Sequence, residues 1–195
     1  MKFHYFLDNN AGWAGLIFEE MNISLNYSIS YCMGDELIEL LGGLIEFIEC
    51  KTQVHSIRYI TDKRIDENGM LEWNIDEEGS NIKFQFSKTE NTDIINLKII
   101  ENYDKEECVF DNNILLKELL VNIIFSCTDI LSKYGIIGYS LNFMNEFPIV
   151  YYLILKDYLE NEIKFDTFTE INNNREQDMY RSNIGMELKY IYLSK

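Results

Sequence analysis

Two histidines, His4 and His55, and four cysteines, Cys32, Cys50, Cys108 and Cys127, are the soft or nucleophilic side chains of this 195-residue chain. Metal sites gather such ligands at short spacing. Here no CxxC pair occurs, and Cys50 and His55 stand five apart across a helix end and a strand start, with no further soft ligand near. The expectation is no metal and a partly buried, structural histidine. A Cys–His nucleophile pair stays open as an alternative, because such partners meet in space rather than in sequence. Cys32 and Cys127 lie in apolar stretches, where a thiol stays protonated and inert. Single cysteines at wide intervals read as buried, reduced thiols and hence a cytoplasmic protein. No GxSxG, GxxxxGK[ST] or GxGxxG occurs, so hydrolase, P-loop and dinucleotide chemistry lack support and no cofactor is expected. Carboxylates are abundant in Asp76-Glu77-Glu78 and Glu106-Glu107. A carboxylate pair does acid–base work only across a cleft, and these runs read as solvated turns.

The formal charge of −16 is the dominant compositional fact. Such a field repels nucleic acid and anionic membrane and attracts basic partners. Arg58, Lys63 and Arg64 form the only notable basic cluster of the first half, and no broad basic patch interleaved with aromatics is read from the sequence, so nucleic acid is not an expected partner. The N-terminus has no basic, apolar and cleavage regions in series, and no run reaches about 18 apolar residues, so neither a secretion signal nor a membrane span is expected.

The clearest element to carry a site is a strand followed by a helix. Ile23, Leu25, Tyr27, Ile29 and Tyr31 alternate with small polar residues, which places them on one strand face. Asp35 can cap a helix running from Glu36 to Glu49. Its polar positions Asp35, Glu39, Gly42, Glu46 and Glu49 are spaced four, three, four, three, a narrow acidic line on an otherwise apolar helix. Gly42-Gly43 costs about 1 kcal/mol per glycine against alanine, which implies close approach of a neighbour, the sheet. With the turn acids, Asp35, Glu39, Glu46, Glu49, Asp76, Glu77 and Glu78 are the candidate partner-binding residues.

Around this unit, Lys2–Leu7 reads as a strand and Trp13–Phe18 as a short strand or irregular apolar segment. Val54–Ile60, Met70–Ile75, Ile82–Phe86 and Ile95–Ile99 read as a meander joined by Asn/Asp/Gly turns. Asp111 or Asn112 is placed to cap a second long helix through Leu116–Tyr134, stopped by Gly135. Ile136–Phe143 reads as an apolar connector. After Pro148, Val150–Leu159 allows a helix or a strand. Asn172–Asp178 reads as a polar loop, and Ile184, Met186, Leu188, Tyr190 and Tyr192 as a C-terminal strand that could pair across a homodimer. The expected fold is one α+β domain, an antiparallel meander sheet packed against two or three helices, and thirteen Tyr, twelve Phe and a single Pro point to a sheet-rich, aromatic-packed core.

The order of these signals resembles the small cytoplasmic immunity proteins of polymorphic and contact-dependent bacterial toxin systems. The resemblance rests on Trp13 before an apolar run, a strand ending Ser30-Tyr31, Gly34-Asp35-Glu36-Leu37 opening a helix, the meander, then Gly138-Tyr139 and Phe147-Pro148. It implies an α+β inhibitor without catalytic residues that binds one toxin domain, often a basic nuclease. No single site residue carries over. The alternatives are a small enzyme with a Cys/His or carboxylate site, and a structural or assembly subunit marked by an exposed apolar patch.

Overall fold

The computed structural model describes residues 1–8, 12–30, 36–48, 65–77, 80–160, 165–172 and 175–192. The fold is α+β. Lys2–Leu7 (β1), Trp13–Glu20 (β2) and Ile23–Ser30 (β3) form an antiparallel sheet in the order β1-β2-β3. Leu71–Glu77 (β4), Ser80–Lys88 (β5), Ile94–Asn102 (β6) and Glu106–Leu115 (β7) form a second, in the order β4-β5-β6-β7. In β4, β5 and β6 alternation decides the faces: Leu71, Trp73, Ile75, Ile82, Phe84, Phe86, Ile95, Leu97 and Ile99 are all buried.

The two sheets meet through aromatic edges. Phe3 of β1 lies 6.2 Å from both Trp73 and Phe84. Tyr27 of β3 lies 6.0 Å from Phe84, and Phe18 of β2 lies 4.8 Å from Phe110 of β7. Edge-to-face pairs of this kind add about 0.5–1.5 kcal/mol to the burial of each ring.

Glu36–Phe47 (α1) follows the sequence expectation closely. Its Leu37, Leu40, Leu41, Leu44 and Phe47 are buried, and the Trp73 indole N–H donates to the Glu36 carbonyl at 2.8 Å. A Cβ on Gly43 would come within 2.6 Å of Leu71 Cδ1. The neighbour that the glycine admits is therefore a side chain of the sheet.

Leu116–Phe143 (α2) lies along β1, and Ile149–Glu160 (α3) packs on it, the Thr128 and Tyr152 hydroxyls 2.9 Å apart. Residues 149–160 are thus helix. Within α2, Gly135 takes φ 65° and ψ 178°, breaking the helical path. It stops the first segment as expected, but Ile136–Phe143 resumes as helix instead of forming a connector. By length and composition α2 could cross a membrane, with a mean hydropathy of 1.4 over its best window. The helix holds no unbroken run of about 18 apolar residues, being interrupted at Lys117, Glu118, Asp129 and Lys133. Leu119, Leu120, Ile123, Cys127 and Ile130 of this helix are core residues, and a core helix passes the same test.

Three further expectations change. Asp111 and Asn112 do not cap α2; they lie in β7, and the first α2 amide, Leu116 N, donates to the Asp93 carbonyl at 3.0 Å. The expected polar loop is a hairpin, Phe165–Asn172 (β8) against Arg175–Ser182 (β9). The expected C-terminal strand is a helix, Ile184–Tyr192 (α4). Asn183 is the reason: its Oδ1 accepts Gly185 N at 3.0 Å and Met186 N at 3.2 Å, an N-cap that starts a helix whatever the alternation downstream. The homodimer expectation, which needed a strand there, loses its basis. The expected strand Val54–Ile60 lies outside the described residues.

Candidate functional site

The residues that sequence alone singled out separate into two groups. Glu39 and Glu46 are half-buried on α1. Asp76 and Glu77 are half-buried at the end of β4, in a strand rather than the turn expected for them. Asp35, Glu49 and Glu78, with His55, Cys32 and Cys50, lie outside the described residues.

Strand register gives Asp76 and Glu77 company that their spacing in sequence hides. Asp76 pairs with Asn81, Asn81 with Asn102, and Asn102 with Glu106. One row inward, Ile82 pairs with Glu101 and Glu101 with Glu107. Because β4 and β6 end where β5 and β7 begin, Asp76, Glu77, Glu101, Asp104, Glu106 and Glu107 share one end of the four-stranded sheet. Lys105 is the one base in the 101–107 run. Glu106 and Glu107, expected in a turn, open β7 and are exposed. Glu101 and Asp104 were missed in the sequence, where only the β6–β7 pairing could have found them.

This acidic end is held in shape by hydroxyls and one amide. Tyr27 OH donates to Glu101 Oε1 at 2.9 Å and Tyr103 OH to Glu77 Oε2 at 2.9 Å. Glu77 Oε1 also accepts the Ser28 amide of β3 at 2.9 Å. Burial and then the Glu101 carboxylate raise the Tyr27 pKa well above the ordinary phenol value. Burial and the Glu77 carboxylate push Tyr103 up to about 12. Both phenols therefore stay protonated as donors, and both carboxylates stay acceptors.

Elsewhere the chemistry-bearing side chains are spent on structure. Ser126 Oγ lies 3.4 Å from His4 Nδ1, with Asp129 close enough to raise the His4 pKa against the larger, lowering effect of burial. Yet Ser126 is 1% exposed. Its oxygen accepts the Tyr5 amide at 3.1 Å and it donates to the Asn122 carbonyl at 3.0 Å. Asn122 Oδ1 accepts the Phe3 amide at 3.4 Å. Together these two side chains of α2 satisfy the outer edge of β1.

Cys127 is buried, and burial pushes its thiol up to about 12, so it stays protonated. Cys108, expected to be buried, is exposed on β7. A cavity of about 320 Å³ lies between Phe47, Lys88, Thr89, Ile95, Leu116 and Tyr158, but the Thr89 hydroxyl is committed to the Ile94 carbonyl at 2.8 Å. No carboxylate among the described residues lines it. Among the described residues no group of three or more His, Cys, Asp or Glu could hold a metal ion.

One other surface stands out. After the Gly135 break, Ile137, Leu141 and Met144 recur at helical spacing and are 77%, 76% and 72% exposed. That is an apolar stripe turned to solvent. No protein-family model, curated protein or solved structure matches the chain.

Proposed function

We propose that this is a cytoplasmic, non-enzymatic binding protein of the immunity type, which neutralises a cognate basic toxin domain by docking on it. The observation that carries this is the acidic end of the four-stranded sheet, where register assembles Asp76, Glu77, Glu101, Asp104, Glu106 and Glu107 around Lys105. A predominantly acidic surface of this kind speeds encounter with a cationic partner and rejects acidic ones. The acids are positioned by strands and by Tyr27 and Tyr103. Glu39 and Glu46 on α1 are a separate acidic pair, since Phe47 beside Glu46 packs on Phe86 and Lys88 at the other end of β5.

The test is co-expression with candidate toxin domains taken from the genes beside this one. Growth rescue and co-purification of a basic domain are expected. Charge reversal at Glu106 and Glu107 should weaken the complex by at least tenfold. Lack of rescue or co-purification with every neighbouring candidate would overturn the proposal.

A second reading, an assembly subunit, is favoured by the Ile137, Leu141 and Met144 stripe. It expects concentration-dependent self-association in light scattering that Leu141→Lys removes. A monomer at every concentration would sink it.

A further inference from the structure

We propose that the outer edge of β7 is a docking site for an extended, basic segment of a partner protein, which adds to the sheet as a further strand. This rests on the binding-protein reading above and names the chemistry of the partner.

Among the described residues the outer edges of β1, β3 and β4 each carry some contact, while the β8–β9 hairpin has two further edges of its own. The β1 amides of Phe3 and Tyr5 donate to Asn122 and Ser126 of α2. The Ser28 amide of β3 donates to Glu77. An isolated bridge joins Ile65 to Leu71 at the start of β4, and Trp73 ties that strand to α1. Among the described residues β7 has one strand neighbour, β6, and no strand beyond it. It is the longest strand, ten residues, and is exposed at Glu106, Glu107, Cys108, Asp111, Asn112, Asn113 and Leu115. A long edge strand presents a row of N–H and C=O groups ready to pair.

Two features select what can pair there. A register shift sits between Ile99 and Ile100, since Ile99 faces Phe110 while Ile100 faces Cys108. Val109 is the extra residue. A bulge interrupts regular pairing, so the docking platform is the unbroken stretch Phe110–Leu115, paired without shift to Ile94–Ile99. The second feature is charge. β7 holds Glu106, Glu107 and Asp111 and no base. A second copy of this edge would bring three further acids and no base, so like charge disfavours its approach. Asp111, paired with Lys98 and accepting Asn96 Nδ2 at 3.0 Å, shares a sheet face with Glu106, and Glu107 lies on the other face. A strand with Lys or Arg at alternate positions meets Asp111 beside the platform and Glu106 beyond the bulge. Main-chain bonds would supply the affinity and these two acids the choice of partner.

Hydrogen exchange of the whole protein tests this directly. The probe is a ten-residue peptide of alternating Lys and Val, with a Glu/Val peptide as control. The Lys/Val peptide should slow exchange within 106–115 and the Glu/Val peptide should not. Glu106→Lys with Asp111→Lys, both at exposed positions on one face, should weaken peptide binding at least tenfold with an unchanged circular dichroism spectrum. If that variant fails to fold, a salt titration of the unaltered protein takes its place, and protection should fade as salt rises. Three results would overturn the proposal: 106–115 already fully protected in the free protein, peptide binding that leaves 106–115 unprotected, or protection indifferent to both charge reversal and salt. Failure of growth rescue with neighbouring toxins would leave these outcomes unchanged, so the two ideas fail separately.

Discussion

Ser126 and Tyr27 show how polar side chains in this protein serve position before chemistry. Ser126 is the acceptor for the Tyr5 amide inside a buried contact. Ser126→Ala should cost about 1–3 kcal/mol, the penalty of leaving a buried amide unpaired, measured as a lower urea midpoint with an unchanged slope. A cost near zero would mean that water replaces the hydroxyl. Tyr27 and Tyr103 carry phenols whose pKa is raised in the fold above the ordinary 10.0. A group with a raised folded pKa contributes stability that is whole below its unfolded pKa and is lost as pH climbs through the folded value. Melting temperature should therefore hold up to about pH 10 and fall above it. Tyr27→Phe should flatten that alkaline fall while lowering stability at neutral pH. His4 works in the opposite direction. Burial lowers its pKa, so its contribution is present above 6.5 and is lost as pH falls.

Among the elements, the α2 helix depends on one backbone conformation. Gly135 at φ 65° and ψ 178° occupies a region that is essentially glycine-only. Nothing lies within 4 Å of a Cβ placed there. Gly135→Ala should thus destabilise by about 1–3 kcal/mol through backbone strain alone, read as a drop in melting temperature. A neutral result would show that the chain straightens into one helix, and the exposure of Ile137 and Leu141 would then change with it. The α4 helix is held differently. The buried Lys156 ammonium donates to the Tyr190 carbonyl at 2.9 Å and to Tyr152 OH at 3.2 Å. A charge-assisted bond of this type is worth more than a neutral one, and it fixes a short helix of which Tyr190 is the buried residue.

Over the whole molecule the net charge of −16 governs encounter. Fields of this size act over about 10 Å at 0.1 M salt. The association rate with a cationic partner should fall steeply between low and physiological salt, while the dissociation rate changes little. Stopped-flow mixing at several salt concentrations checks this. An association rate independent of salt would place the contact on the apolar stripe of α2 and favour the assembly reading. The same charge opposes close approach of two copies of the protein, and the acids of β7 add to that repulsion locally.

Local pattern was sufficient for β1, β3, β4, β5, β6 and α1, because alternation and helical period are written within a few residues and the core only has to accept them. The α+β class and the stop at Gly135 were legible for the same reason; of the acidic line of α1, Glu39 and Glu46 are half-buried, Gly42 is buried, and Asp35 and Glu49 lie outside the described residues. Local pattern failed where a tertiary partner outweighed it. Glu106–Leu115 has no clean alternation and becomes a strand by pairing with β6. Ile184–Tyr192 alternates like a strand and becomes a helix by the Asn183 cap and the Lys156 bond. The acidic end was out of reach for a related reason. Asp76, Glu101 and Glu107 are far apart in the chain, and only strand register brings them to one end. Sequence determined which stretches fold and the sign of the surface they present; tertiary pairing decided where that charge gathers and which strand is left with an open edge.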